Sequence, residues 1–112
     1  MEQLQGAGAI SQIVVSNFTE THLAKLVQSC NVPPQFNQIE VHPLYMPKGT
    51  IKFCREHKIQ VMSYTPLSNG KTGFPAADVL AWHDLNGFTP IPHTQNLEHL
   101  EENTMRTQLT QQ

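Results

Sequence analysis

Four short clusters of polar side chains stand where apolar runs end. They are Ser16-Asn17 after Ile13-Val14-Val15, the Gln38, Glu40 and His42 set within Phe36-Asn37-Gln38-Ile39-Glu40-Val41-His42-Pro43-Leu44, Tyr64-Thr65, and His93-Thr94. Amides, hydroxyls and imidazoles of this kind can hydrogen-bond a polar ligand, and an aromatic ring can stack on a flat one. They do not form a catalytic set on their own. Spacing alone supports no Ser-His-Asp or Cys-His arrangement. The six histidines (His22, His42, His57, His83, His93 and His99) share no HxxxH spacing with a carboxylate partner, and CxxC does not occur, so no metal site is expected.

Each cluster also has a plainer reading. Ser16-Asn17 suits an ordinary turn and cap, Gln38 a polar strand-end residue, and Tyr64 a half-buried core residue. His42 suits a residue that orients the loop around Pro43, and Tyr45 a loop aromatic without a role. Glu98, Glu101 and Glu102 suit a solvated helix face.

The elements that would position these groups alternate between strand and helix patterns. A strand near Gln12–Ser16 leads to a helix capped by Thr19, with Leu23, Leu26, Val27 and Cys30 at i, i+3, i+4 and i+7. Val32-Pro33-Pro34 stops that helix. A second strand near Asn37–Val41 ends before Pro43. Pro47 then suits the first turn of a helix to about His57, with Ile51 and Cys54 on one face. A third strand near Gln60–Tyr64 opens into the loop Thr65–Pro75. A helix near Ala76–Asn86 carries Val79, Leu80 and Ala81 and is closed by Gly87. A short strand near Phe88–Ile91 precedes a last helix, capped by Thr94 or Asn96 and running to about Met105, and a polar tail follows over 107–112.

Four successive βα units predict an α/β chain with a parallel sheet and helices on its faces. Crossovers of this length fit a (β/α)8 barrel or a doubly wound, flavodoxin-like sheet. Neither GxGxxG nor GxxxxGK[ST] occurs, which weakens the two common nucleotide-binding forms of the open sheet. In a barrel, binding groups lie at the C-terminal strand ends, where the four polar clusters fall.

With 38% hydrophobic and 14% charged residues and a net charge of −2, the chain shows no basic stripe for nucleic acid or an anionic membrane surface. It has neither a run long enough for a transmembrane helix nor the basic, apolar start of a signal peptide. Cys30 and Cys54 fall in helix-like segments and read as reduced core residues of a cytoplasmic protein.

Taken together, the segments resemble the second half of an aldo-keto reductase, a family of (β/α)8 barrels that reduce aldehydes and ketones with NADPH. Val15-Ser16-Asn17-Phe18 resembles the fifth-strand motif, and Asn37-Gln38-Ile39-Glu40-Val41-His42-Pro43 the sixth, the most specific match. Ser63-Tyr64-Thr65-Pro66-Leu67-Ser68 resembles the seventh. Pro90-Ile91-Pro92-His93-Thr94 with Glu102-Asn103 resembles the eighth strand and its helix. The likeness covers 1–106 and implies a partial (β/α)8 TIM barrel of about four βα units, strands 5–8. At 112 residues the chain is short for the whole barrel, so a fragment is expected.

By this resemblance Ser16, Asn17 and Gln38 would hydrogen-bond the nicotinamide carboxamide, and Tyr64 would stack on its ring. Leu67 and Ser68 would lie along the pyrophosphate, Thr94 would contact the adenosine 2′-phosphate, and Glu102 and Asn103 would meet the adenine edge. His93 stands where the family usually has a lysine, and His99 where it usually has an arginine. Each replaces a permanent cation by an imidazole, which admits NADH beside NADPH. Val14 takes the place of a usual glycine, and Asn69–Pro75 is shorter than the family's loop. The family's catalytic aspartate, tyrosine, lysine and histidine lie on the first four strands and have no counterpart here, so no catalytic residue is assigned. The resemblance therefore implies a cofactor-binding half that takes a small carbonyl substrate only in a complete barrel. The alternative is a non-catalytic remnant or interaction module that self-associates or pairs with another half-barrel.

Overall fold

The computed structural model describes residues 1–104; Met105, the expected end of the last helix, and the tail 107–112 lie outside the described residues. The chain forms α1 (Glu2–Gly6), β1 (Val14–Ser16), α2 (Glu20–Ser29), β2 (Phe36–Glu40), α3 (Lys48–Glu56), β3 (Gln60–Tyr64), a 3-10 turn (Ser68–Gly70), α4 (Ala76–Leu85), β4 (Thr89–Pro90) and α5 (Leu97–Thr104). The strands are ordered β1-β2-β3-β4 in one sheet. Each strand lies beside its successor in sequence, and the β1–β2 and β3–β4 pairs are parallel. A doubly wound sheet reverses its order at a switch point. The order here has no reversal, which argues against the flavodoxin-like reading.

Two compact units divide the chain: residues 1–39 with 47–61, and residues 40–46 with those from 62 onward. In the first, β1 and β2 run in register with Val14 opposite Phe36 and Ser16 opposite Gln38. The Gln60 N–H at the start of β3 donates to the Gln35 carbonyl at 2.8 Å. Helix α2 starts at Thr19, whose N–H donates to His22 Nδ1 at 3.4 Å. The buried positions follow helical spacing: Leu23 on α2, Ile51 and Cys54 on α3, with Ile13, Ile39, Ile59 and Val61 beside them. Asn37, fully buried in β2, donates from Nδ2 to the Phe18 carbonyl at 2.9 Å and so holds the turn that follows β1. Thr50 Oγ1 donates to Glu20 Oε2 at 2.7 Å, tying α3 to the start of α2 and holding the Glu20 carboxyl below its ordinary value. Helix α3 ends in a Schellman motif, with Ile59 N–H on the Cys54 carbonyl and Lys58 N–H on that of Arg55. Lys58 takes the left-handed φ of 57° that glycine usually supplies there.

In the second unit, Met62 pairs with Thr89 and Ser63 with Pro90. β4 is shorter than the expected Phe88–Ile91, although the Ile91 N–H still donates to the Ser63 carbonyl at 3.0 Å. β1 is likewise shorter than the expected Gln12–Ser16. Helix α4 buries Val79, Leu80 and Ala81 and closes in a second Schellman motif. Gly87, at φ 74°, donates to the Asp84 carbonyl, and Phe88 N–H donates to that of His83.

His83 is buried completely. Its Nδ1 lies 2.8 Å from the Val79 carbonyl, and its Nε2 lies 2.9 Å from the Val41 carbonyl and 3.0 Å from Ser63 Oγ. Ser63 Oγ also donates to the Val41 carbonyl. The imidazole thus joins the end of β2, strand β3 and helix α4 inside one unit. We expect His83→Leu to destabilise the fold by about 1–3 kcal/mol, the cost of leaving a buried polar group without its hydrogen-bond partner. Urea unfolding followed by circular dichroism measures it, with Ser63→Ala, which keeps the ring, expected to cost less.

Candidate functional site

The polar clusters stand at the C-terminal ends of the strands. Ser16 closes β1, and Asn17 follows it in left-handed backbone at φ 58°. Asn17 N–H donates to the Gln38 carbonyl at 2.9 Å, and Ser16 Oγ donates to the same oxygen at 3.2 Å. The three residues expected at a carboxamide are therefore neighbours within the first unit, with Ser16 and Asn17 exposed and Gln38 half-buried. Asparagine tolerates left-handed backbone better than most residues, which suits this turn.

Tyr64 closes β3 and is half-buried, on the side of the strand that carries Gln60 and Met62. Buried and half-buried residues alternate along β2 (Asn37 and Ile39 against Phe36, Gln38 and Glu40) and along β3 (Val61 and Ser63 against Gln60, Met62 and Tyr64). A parallel strand is normally covered on both sides. In each of these two strands only one side is fully covered.

A cleft of about 480 Å³ lies wholly within the second unit. Its apolar walls are Pro66, Leu67, Phe74, Ile91 and Pro92, and its polar groups include His93, Thr94, His99, Glu102 and Asn103. Six of the residues expected at a cofactor (Leu67, His93, Thr94, His99, Glu102 and Asn103) thus line one cavity, although they span 67 to 103 in sequence. Tyr64 and Ser68 are outside the lining; Ser68 is half-buried at φ 50°. Thr94 Oγ1 accepts the Asn96 N–H at 3.0 Å, and Asn96 Oδ1 accepts that of Glu98 at 2.9 Å, so Asn96 caps α5 and Thr94 shapes the turn before it. Asn103 is buried, whereas His93, His99 and Glu102 are exposed.

The loop from β3 to α4 is unusual in its backbone. Thr65, Ser68 and Asn69 have positive φ, as do Gly70 and Gly73. A β-branched residue in that region is an outlier. Pro66 and Thr72 are buried and fix the loop, and Thr72 Oγ1 accepts the Phe74 N–H at 3.3 Å.

His42 behaves as the loop residue its sequence suggests. Its N–H and carbonyl exchange hydrogen bonds with Tyr45 at 3.0 and 2.9 Å, and its Nε2 meets Glu40 Oε1 at 2.9 Å. Its Nδ1 and the Oδ1 of Asn37 are buried without a hydrogen-bond partner. Both cysteines are free; Cys30, expected in the core, is only half-buried at the C-cap of α2, whereas Cys54 is buried and its thiol is pushed up by that burial, which keeps it protonated. Among the described residues no group of His, Cys, Asp and Glu could hold a metal ion, and no helix is long and apolar enough to cross a membrane.

Sequential βα units with parallel strand pairs, polar groups at the strand ends and a cleft beside the last two strands place the chain in the parallel α/β class. The particular family follows from comparison: the aldo/keto reductase family matches residues 1–73. The chain belongs to that family. It is 34% identical over 119 aligned residues to methylglyoxal reductase DkgA of Escherichia coli (strain K12), covering 92% of this chain and 43% of that one. It is 30% identical over 120 residues to the 9,11-endoperoxide prostaglandin H2 reductase of Trypanosoma cruzi, with 92% and 42% covered. Among solved structures, Bombyx mori aldo-keto reductase AKR2E4 in complex with NADP superposes with a TM-score of 0.82 at 26% identity, over 96% of this chain and 44% of that one. The chain thus spans about two fifths of the length of these relatives.

The strain at Thr65 gives a direct test of the loop. We expect Thr65→Gly to raise stability by about 1–2 kcal/mol, since glycine adopts positive φ without the steric cost borne by threonine. Thermal unfolding measures the change.

Proposed function

We propose that this chain is the cofactor-binding half of an aldo-keto reductase barrel, corresponding to strands 5–8, with the adenosine end of a nicotinamide cofactor held in the second unit's cleft. The observation that carries this reading is the cleft itself. It gathers six of the residues assigned to the pyrophosphate, 2′-phosphate and adenine by family resemblance. The donor set fits such a group. Apolar walls suit a purine, the imidazoles and Thr94 suit phosphate oxygens, and Glu102 and Asn103 offer acceptors and donors to a base edge. Ser16, Asn17 and Gln38 offer an amide-binding set, and Tyr64 a flat ring. The relative from Bombyx mori, solved with NADP, supports the same cofactor class.

When bound, the nicotinamide supplies hydride to a carbonyl carbon. The residues of this chain bind and orient the cofactor. A proton donor for the carbonyl oxygen has to come from elsewhere, because the catalytic residues implied by the resemblance have no counterpart here. We expect NADPH or NADH fluorescence to change on titration with the chain, with no aldehyde-dependent loss of reduced nicotinamide above a denatured control. No binding of either cofactor would overturn the cofactor assignment, and turnover would overturn the assignment as a half without the acid.

A second reading, a module that pairs with another half-barrel or with itself, is favoured by the incompletely covered sides of β2 and β3. Those sides would line the interior of a closed barrel. Light scattering across a concentration series separates the readings: a mass above the monomer supports pairing, and a well-folded monomer at all concentrations removes it.

A further inference from the structure

The sequence holds two Asn-Gly pairs, Asn69-Gly70 and Asn86-Gly87. Asparagine is chemically labile, and most so before glycine, because no side chain shields the backbone nitrogen that follows it. The fold treats the two pairs differently. Asn86 is half-buried at the end of α4, and its Nδ2 donates to the Trp82 carbonyl at 2.8 Å. Its N–H donates to the Trp82 and His83 carbonyls, each at 3.1 Å, and the Gly87 N–H donates to that of Asp84 at 3.1 Å. Buried Phe88 closes the Schellman motif, so the backbone at Asn86 cannot turn without opening it. Asn69 and Gly70, by contrast, are exposed in the 3-10 turn Ser68–Gly70. Among the described residues no hydrogen bond holds the Asn69 side-chain amide. Two backbone bonds close the turn, from Gly70 N–H to the Leu67 carbonyl at 2.9 Å and from Lys71 N–H to that of Ser68 at 3.0 Å. Ser68 and Asn69 have φ of 50° and 52°, so leaving this conformation releases strain.

We propose that Asn69-Gly70 is a self-modification site on the cavity wall, where the chain converts Asn69 to aspartate and isoaspartate without an enzyme. The Gly70 amide nitrogen gives its proton to solvent and attacks the side-chain carbonyl carbon of Asn69. The new N–C bond closes a five-membered succinimide, the bond from that carbon to the side-chain nitrogen breaks, and ammonia leaves. Water then opens the ring. Cleavage on the side-chain carbonyl leaves aspartate in an ordinary backbone. Cleavage on the main-chain carbonyl leaves isoaspartate, with the backbone routed through the side chain. Asn69 lines the cavity, so either product sets a carboxylate on a wall whose other acidic group is Glu102. Isoaspartate also adds a methylene to the turn that carries Leu67 and Gly70 to the same cavity. The chemistry is the same whichever ligand the cavity takes, so this inference does not depend on the cofactor reading.

The experiment incubates the whole folded chain in warm, mildly alkaline buffer made with heavy-oxygen water, then maps tryptic peptides by mass spectrometry over time. Lys58, Lys71 and Arg106 place the two asparagines in separate peptides. The label enters only where water has opened a succinimide, so it separates conversion during the experiment from aspartate already present. Labelled aspartate and isoaspartate are expected at position 69. Conversion at Asn86 is expected to be about tenfold slower, the rate equivalent of one further hydrogen bond that has to open. In concentrated urea the two pairs should convert at similar rates, which assigns the difference to the fold. Equal rates at the two pairs in the folded chain overturn the proposal, as does conversion at Asn69 no faster than at Asn31, which valine follows. A difference that persists unchanged in urea overturns it too, because the turn then plays no part.

Discussion

The carbonyl oxygen of Val41 is the fixed point of the unit that carries the cleft. It receives Ser63 Oγ from β3 and His83 Nε2 from α4, in a place closed to water. A buried carbonyl left alone is costly, and the Ser63 hydroxyl donates to this one, while the single N–H of a neutral His83 serves either it or the Val79 carbonyl. The positions of the cleft walls follow from this. β3 delivers Thr65, Pro66 and Leu67. Helix α4 sets the Schellman turn at Gly87 that sends the chain into β4, and β4 delivers Ile91, Pro92, His93 and Thr94.

Local signals made the elements legible. Of the α2 positions at helical spacing Leu23 is fully buried, while Leu26, Val27 and Cys30 are half-buried; Ile51, Cys54, Val79, Leu80 and Ala81 lie in the core, Thr19 and Asn96 start helices, and Gly87 ends one. Strand β3 has the bounds its sequence predicts because Val61 and Ser63 alternate with less covered residues and Pro66 stops the run. The polar network was not legible. His83 sits amid an apolar helix face, and its partners at 41 and 63 are distant in sequence, so no spacing rule connects them. The left-handed backbone at Lys58, Thr65 and Ser68 was equally hidden, because these residue types do not advertise positive φ. Six of the cleft residues were reached through family resemblance; Phe74 and Thr72, which line the same cavity, carry no motif signal.

The unequal cover along β2 and β3 connects the fold to the shortness of the chain relative to its relatives. Helices need only one side of a parallel sheet when the sheet closes on itself and buries the other side in its own interior. Ser63, on the covered side, has become part of a hydrogen-bond network, whereas Gln38 and Tyr64 lie on the half-buried side of their strands. The same alternation of period two thus separates buried polar residues from half-buried ones. A one-residue shift of β3 would exchange them, placing Tyr64 under the helix and breaking the contact of Ser63 with Val41.

The loop after β3 forms a strained wall of the cavity. Left-handed backbone at Thr65, Ser68 and Asn69 costs on the order of 1 kcal/mol each, a substantial share of the 5–15 kcal/mol by which domains are stable. That cost is sustainable only if the ends of the loop are held. One end is held by buried Pro66, directly after the strand that His83 anchors, and the other by buried Thr72 with its bond from Phe74 N–H. Between them the backbone turns sharply enough to place Leu67, Asn69 and Gly70 on the same cavity as His93 and His99. The residues with positive φ, Thr65, Asn69 and Gly70, are themselves among the lining of the cavity.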